Sequence, residues 1–160
     1  MMVELYLLRH GVAFEREEWQ DKDDELRPLT KKGIAKMEAE AKALKHSELN
    51  IEYVISSPLT RAAQTAQIVA DALDKKVVES KLLKPGCDLK ALATLLKEYD
   101  GTERILIVGH EPDFSTLIGQ IVGGGSVELR KGGIACCELN SVKPPKGTLR
   151  WLLTPEWLGA

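Results

Sequence analysis

A chain of 160 residues, 44% hydrophobic and 29% charged, is long enough to bury a substantial core without disulfides or metals, and has the balance of an ordinary globular protein. Its formal net charge of −2 gives no basic footprint, which argues against nucleic acid as a partner. No run approaches the ~18 apolar residues of a membrane span, and the N-terminus lacks the basic region of a signal peptide, so the expectation is a cytoplasmic protein without a membrane partner.

Val3 to Leu8 is an apolar run that reads as a buried strand, with Arg9, His10 and Gly11 directly at its end. Phe14 to Pro28 (FEREEWQDKDDELRP) is acidic and unpatterned, and reads as an exposed loop. Thr30 is placed to cap a helix in which Ile34, Met37, Ala41 and Leu44 share one face, with His46 on the surface near its end. IEYVISS is a second strand, closed by Ser56, Ser57 and Pro58, and Ala62, Ala66, Val69 and Leu73 give the next helix its core face. KKVVES is a weak third strand, PGCD a turn, and Leu89, Leu92, Leu95 and Leu96 mark a third helix.

RILIVGH then repeats the opening arrangement, an apolar run ending in a histidine, His110. Asp113 to Val122 is a short helix stopped by Gly123, Gly124 and Gly125, and KGGIACCEL and TLRWLL are two closing strands. GGGS is no phosphate-binding P-loop, since the lysine followed by serine or threonine is missing. Cys87, Cys136 and Cys137 are odd in number and lack metal spacing, so they read as reduced thiols used as small apolar residues. Cys136 and Cys137 should face opposite sides of their strand. Trp151 and Trp157 are assigned to packing against the core and the chain end, and Trp19, in the polar loop, to partner contact.

Strand–helix alternation without repeat or linker predicts a single domain over 1–160, an α/β sandwich with a mainly parallel sheet. Ligands of such sheets gather at the carboxyl ends of the strands, where His10 and His110 both fall and Arg61, just past the second strand, can join them. Two guanidiniums hold a tetrahedral oxyanion through bidentate hydrogen bonds, and the helix N-terminus near Pro58 adds backbone donors. A neutral imidazole attacks phosphorus, and Arg9, Arg61 and His110 stabilise the charge on the equatorial oxygens. Gly11, without a side chain, would let substrate and backbone approach closely. No metal or cofactor is needed for this chemistry. A histidine-ligated metal has little support, because a third ligand is lacking and the flanking arginines repel a cation.

Three segments, LLRHG, SSPLTRAAQTA and ILIVGHEP, together resemble the histidine phosphatase superfamily, which includes the cofactor-dependent phosphoglycerate mutases. LRPLTKKG is similar to the region before the first helix in short bacterial phosphohistidine phosphatases of the SixA type. The resemblance implies the phosphoglycerate mutase-like three-layer α/β/α fold. It also implies a phosphorylated His10, with Arg9, Arg61 and His110 completing the phosphate pocket. Larger relatives carry a cap that selects small esters, for which 160 residues leave little room, so the implied partner is a phosphorylated protein bearing phosphohistidine, such as a histidine phosphotransfer domain. The mutase-like branch has a glutamate acid after the third strand, where Glu79 is not a clear match. Glu111 occupies the place of the acid phosphatase aspartate and is the candidate proton donor. A small phosphate ester as substrate, or a non-catalytic phosphate-binding module, are the alternatives.

Overall fold

The computed structural model describes residues 2–20 and 22–160 of the chain. The opening apolar run is strand β1 (Val3–Arg9), whose alternating geometry sends Val3, Leu5 and Leu7 into one core cluster and Tyr6 and Leu8 into another. Helix α1 (Lys31–His46), β2 (Tyr53–Ser56), α2 (Thr60–Leu73), β3 (Val77–Glu79), α3 (Leu89–Glu98), β4 (Arg104–Gly109), α4 (Asp113–Ile121), β5 (Ile134–Val142) and β6 (Pro145–Leu153) follow. The strands form one sheet in the order β3-β2-β4-β1-β5-β6. The first four in that order are parallel, β5 runs antiparallel to β1, and β6, antiparallel to β5, returns to the direction of the first four.

Helices α1 and α2 cover one face of the sheet with Met37, Ala41, Leu44, Ala62, Ala66 and Val69, and α3 and α4 cover the other with Leu92, Leu95, Phe114 and Ile118. Two helical layers around a mostly parallel sheet make the three-layer α/β fold of the phosphoglycerate mutase type. Burial of the central side chains drives it: Leu5, Leu7, Leu8 and Ile107 are fully enclosed, and each contributes about 1.5–3 kcal/mol by leaving water. Thr30 caps α1 as its type and position dictate, its hydroxyl accepting the Gly33 amide at 2.9 Å. Cys136 and Cys137 are split between the two clusters, as adjacent strand residues must be.

The closing hairpin is longer than its apolar pattern suggested, because the β5–β6 ladder continues through Ser141 and Lys146. Backbone pairing needs no apolar side chain, so polar ends of a ladder leave no mark in hydropathy. Trp151 packs beside Tyr6, with ring centroids 5.9 Å apart. Trp157 departs from its assignment to packing at the core and chain end: it is 82% exposed on the final turn (Pro155–Leu158), where Pro155 is the buried residue.

One register sets the stage for function. β1 and β4 are adjacent and parallel, with Arg9 opposite Gly109, so the residues that follow each strand leave the sheet side by side. β2 lies on the other side of β4, with Ser56 opposite Val108, and delivers the start of α2 to the same rim.

Candidate active site

His10 and His110 emerge at that rim with their ring centroids 5.5 Å apart, inclined at 57°. A hundred residues of sequence separate them, and the parallel β1–β4 pairing closes the distance. The His10 amide donates to the Gly109 carbonyl at 3.1 Å, which locks the two strand ends together. His10 Nδ1 lies 2.7 Å from the Gly11 carbonyl oxygen. A carbonyl only accepts, so Nδ1 holds the ring proton and Nε2 keeps its lone pair.

Burial pushes His10 down to about 3, against the pull of the Gly11 carbonyl, with His110, Arg61 and Arg9 adding to the drop. His110 is pushed down to about 4, first by burial and then by Arg61. Both imidazoles are therefore neutral at pH 7. His110 Nε2 is 2.8 Å from the Ser57 hydroxyl, which also accepts the Leu59 amide at 3.2 Å.

Arg61 sits in the first turn of α2, 3% exposed, and its Nη1 and Nη2 donate to the Asp24 carbonyl (2.9 Å) and carboxylate (3.3 Å). Arg9 Nη1 donates to the Leu129 carbonyl at 3.0 Å. Burial lowers both guanidiniums from their ordinary range, opposed at Arg9 by Glu111 and at Arg61 by Asp24. Arg9 Nε, Arg61 Nε and His110 Nδ1 are buried without a hydrogen-bond partner among the described residues. All three belong to residues lining one cleft of about 270 Å³. That is below the ~300–1,000 Å³ of sites for drug-sized molecules.

Arg9, His10, Arg61, His110 and Glu111 thus line one cleft. Glu111 Oε1 accepts the Ser115 amide at 2.8 Å, tying it to the start of α4. Glu79 is exposed at the end of the edge strand β3 and lies outside the cleft. Gly11 corrects the reading from its missing side chain: a Cβ there would meet Met37 Cγ at 2.7 Å, so the glycine admits α1 rather than substrate. Among the described residues no three His, Cys, Asp or Glu side chains are grouped to hold a metal ion.

The segment Phe14 to Pro28 is only partly the solvated loop its composition suggested. Its backbone turns twice, at Arg16–Trp19 and Asp24–Leu26, and Asp24 reaches inward to Arg61. Arg27 is buried and lines the cleft, donating from Nε to Asp24 (2.9 Å) and bonding the Phe14 carbonyl through Nη1 (2.6 Å). Trp19 is used within the segment: Nε1 donates to the Asp23 carbonyl, the ring stacks on Phe14, and Lys22 Nζ sits 4.2 Å above it. Thr65 and Ser57 also went unmarked in sequence. Thr65 accepts the Gly11 amide (3.0 Å) and donates to the Arg61 carbonyl (2.8 Å), coupling the turn after β1 to α2. Its signal was its place one helical turn after Arg61.

The family profile described as histidine phosphatase superfamily (branch 1) matches residues 5–84. An uncharacterized protein of Picosynechococcus sp. (strain PCC 7002) is 32% identical over 98% of this chain and 99% of its own length. Phosphohistidine phosphatase SixA of Escherichia coli K12 is 27% identical over 96% of this chain and 94% of its own. A solved structure of the protein histidine phosphatase SixA with tungstate superposes with a TM-score of 0.84 at 27% identity, covering 98% of this chain and 99% of that one.

Proposed function

Because the chain belongs to the histidine phosphatase superfamily, we propose that it is a SixA-type protein phosphohistidine phosphatase working through a phosphorylated His10. One observation carries the reading: a buried neutral imidazole whose Nδ1 is committed to the Gly11 carbonyl, leaving Nε2 as a lone-pair nucleophile beside unpaired cationic donors. In the first step Nε2 attacks phosphorus, the new N–P bond forms as the substrate's N–P bond breaks, and the leaving imidazole departs neutral. A phosphoimidazole ring protonated on its other nitrogen releases neutral imidazole with no further proton; where that nitrogen is bare, the nitrogen losing phosphorus needs one, and Glu111 in the cleft wall is the proposed donor.

Water then attacks phospho-His10, the second N–P bond breaks, and inorganic phosphate leaves with His10 restored. Arg9, Arg61 and His110 hold the equatorial oxygens through both steps. In this reading Ser57 donates a hydrogen bond to His110 Nε2, 2.8 Å away, the tautomer in which His110 presents Nδ1–H to the anion. The choice of substrate rests on the small cleft and on chemistry: a phosphoramidate needs less acid assistance than an alkyl phosphate. The measurement is kcat/KM on matched phosphohistidine and phosphoserine peptides. Clear preference for phosphohistidine, with acid-labile ³²P on His10 during turnover, is expected; equal rates would overturn the substrate assignment.

A further inference from the structure

Charge in this chain is concentrated in one place. Between Glu15 and Glu25 the sequence has seven carboxylates against two cations, a net −5 in a chain of net −2, so everything outside this stretch is net positive. The same stretch borders the cleft, where Glu15, Arg16 and Glu17 form part of the wall. Several of its carboxylates are compensated: Asp24 by Arg27 and Arg61, Glu15 by Lys131 at 3.8 Å, and Glu25 by Lys84. Glu17, Glu18 and Asp23 are exposed and have no ion-pair partner among the described residues. Leu26, next to them, is 60% exposed.

We propose that this acidic strap is the docking surface for a phosphoprotein whose phosphorylated side chain is flanked by lysines or arginines. The inference rests on the phosphatase reading of the cleft and adds the chemistry of the partner. Two independent features meet here. The buried unpaired donors of Arg9, Arg61 and His110 take the phosphoryl group, and the unpaired carboxylates a few residues along the rim need cations beside it. A small ester with a second phosphate or carboxylate would bring that charge against Glu17. A phosphoryl group carried on a basic face brings opposite charge to both parts of the surface, which raises the encounter rate and fixes orientation. Leu26 offers an apolar contact within the same patch.

The test uses the full chain and two phosphohistidine peptides of equal length, one flanked by lysines and one by glutamates, with phosphoimidazole as a carrier-free substrate. At low ionic strength kcat/KM is expected to favour the lysine peptide by about tenfold, with the gap closing as salt screens it. In the variant carrying Glu18→Lys and Asp23→Lys, both outside the cleft wall, the preference should invert while phosphoimidazole turnover stays unchanged, which also reports an intact fold. If that variant does not fold, Glu17→Gln should still narrow the gap. Equal kcat/KM for the two peptides at low salt, or a variant that alters phosphoimidazole and both peptides by one factor, would overturn the proposal. Should phosphoimidazole be inert while phosphoserine peptides react, the phosphohistidine reading falls, and the same charge pair built on phosphoserine still decides the docking surface.

Discussion

Arg9 stands in the wall of two cavities, and each contains buried polar atoms without partners. On one side is the cleft of His10 and His110. On the other is a pocket of about 310 Å³ beneath α1, bounded by Met37, Gly132 and Pro155, where Glu40 is fully buried and both of its carboxylate oxygens lack a partner. The two differ in how the missing partner can be made good. Burial pushes Glu40 up to about 8, so at pH 7 it takes a proton and sheds its charge. A guanidinium has no such escape near neutral pH, and its spare N–H groups can be satisfied only by something that comes in from outside. An unpaired carboxyl that can take up a proton is a stability problem, whereas unpaired arginine donors beside a neutral imidazole are what the proposed phosphate site requires.

Removing the proposed nucleophile tests this contrast most severely. His10→Ala should lower kcat/KM by about 10⁴-fold or more and abolish the acid-labile label, because the displacement then has no covalent route. A folded variant that keeps most of its activity would erase the distinction between the two cavities. Arg61→Lys is expected to cost about 10²-fold in kcat/KM, since the charge survives but the paired N–H groups do not. Binding of vanadate, followed by inhibition, should weaken in parallel.

How much of this was legible in sequence depends on the range of the interaction. The β1 and β4 runs, the Thr30 cap and the leucine face of α3 are local patterns, and they led to the right layers and the right rim. His10 and His110 could be placed together because parallel strands bring their ends to one edge. Asp24, Arg27, Thr65 and Ser57 act through a few specific hydrogen bonds made only in the folded chain, and none has a periodic signature. Glu40 was invisible for the opposite reason: on a helix it looks like one more charged surface residue, and only packing against Gly132 and Pro155 encloses it.

Glu40 supplies the next effect in size, read in stability rather than rate. With a folded value near 8 and an ordinary value of 4.5, its contribution is fully present below pH 4.5 and is lost as pH rises through 8. At pH 7 the loss is on the order of 3 kcal/mol, about 1.4 kcal/mol for each pH unit above the ordinary value. Glu40→Leu removes the titration and fills the site with apolar atoms. The melting temperature at pH 7 should rise by about 5–10 °C, and its decline between pH 5 and 8 should flatten. A variant whose profile tracks the parent would mean that Glu40 finds a partner when charged, and the contrast with the cleft would weaken.

Asp24 gives the smallest effect and probes the boundary between the two kinds of group. Its side chain is half exposed, and although burial alone would raise it, the hydrogen bond from Arg27 and the charges of Arg61 and Arg27 hold it below the usual carboxylate range. It both orients Arg61 and partly neutralises it. Asp24→Asn keeps the backbone carbonyl that binds Arg61 Nη1 but removes the negative charge. Orientation should loosen and the cationic field of the cleft should strengthen, so kcat falls while inorganic phosphate inhibits more tightly. A pair this exposed is worth about 0.2–1 kcal/mol, which sets both changes at no more than about fivefold. A fall in kcat together with a fall in the phosphate inhibition constant would show that Arg61 is held by one anion until another arrives. If kcat falls while the inhibition constant rises, Asp24 serves only to keep the strap folded against α2.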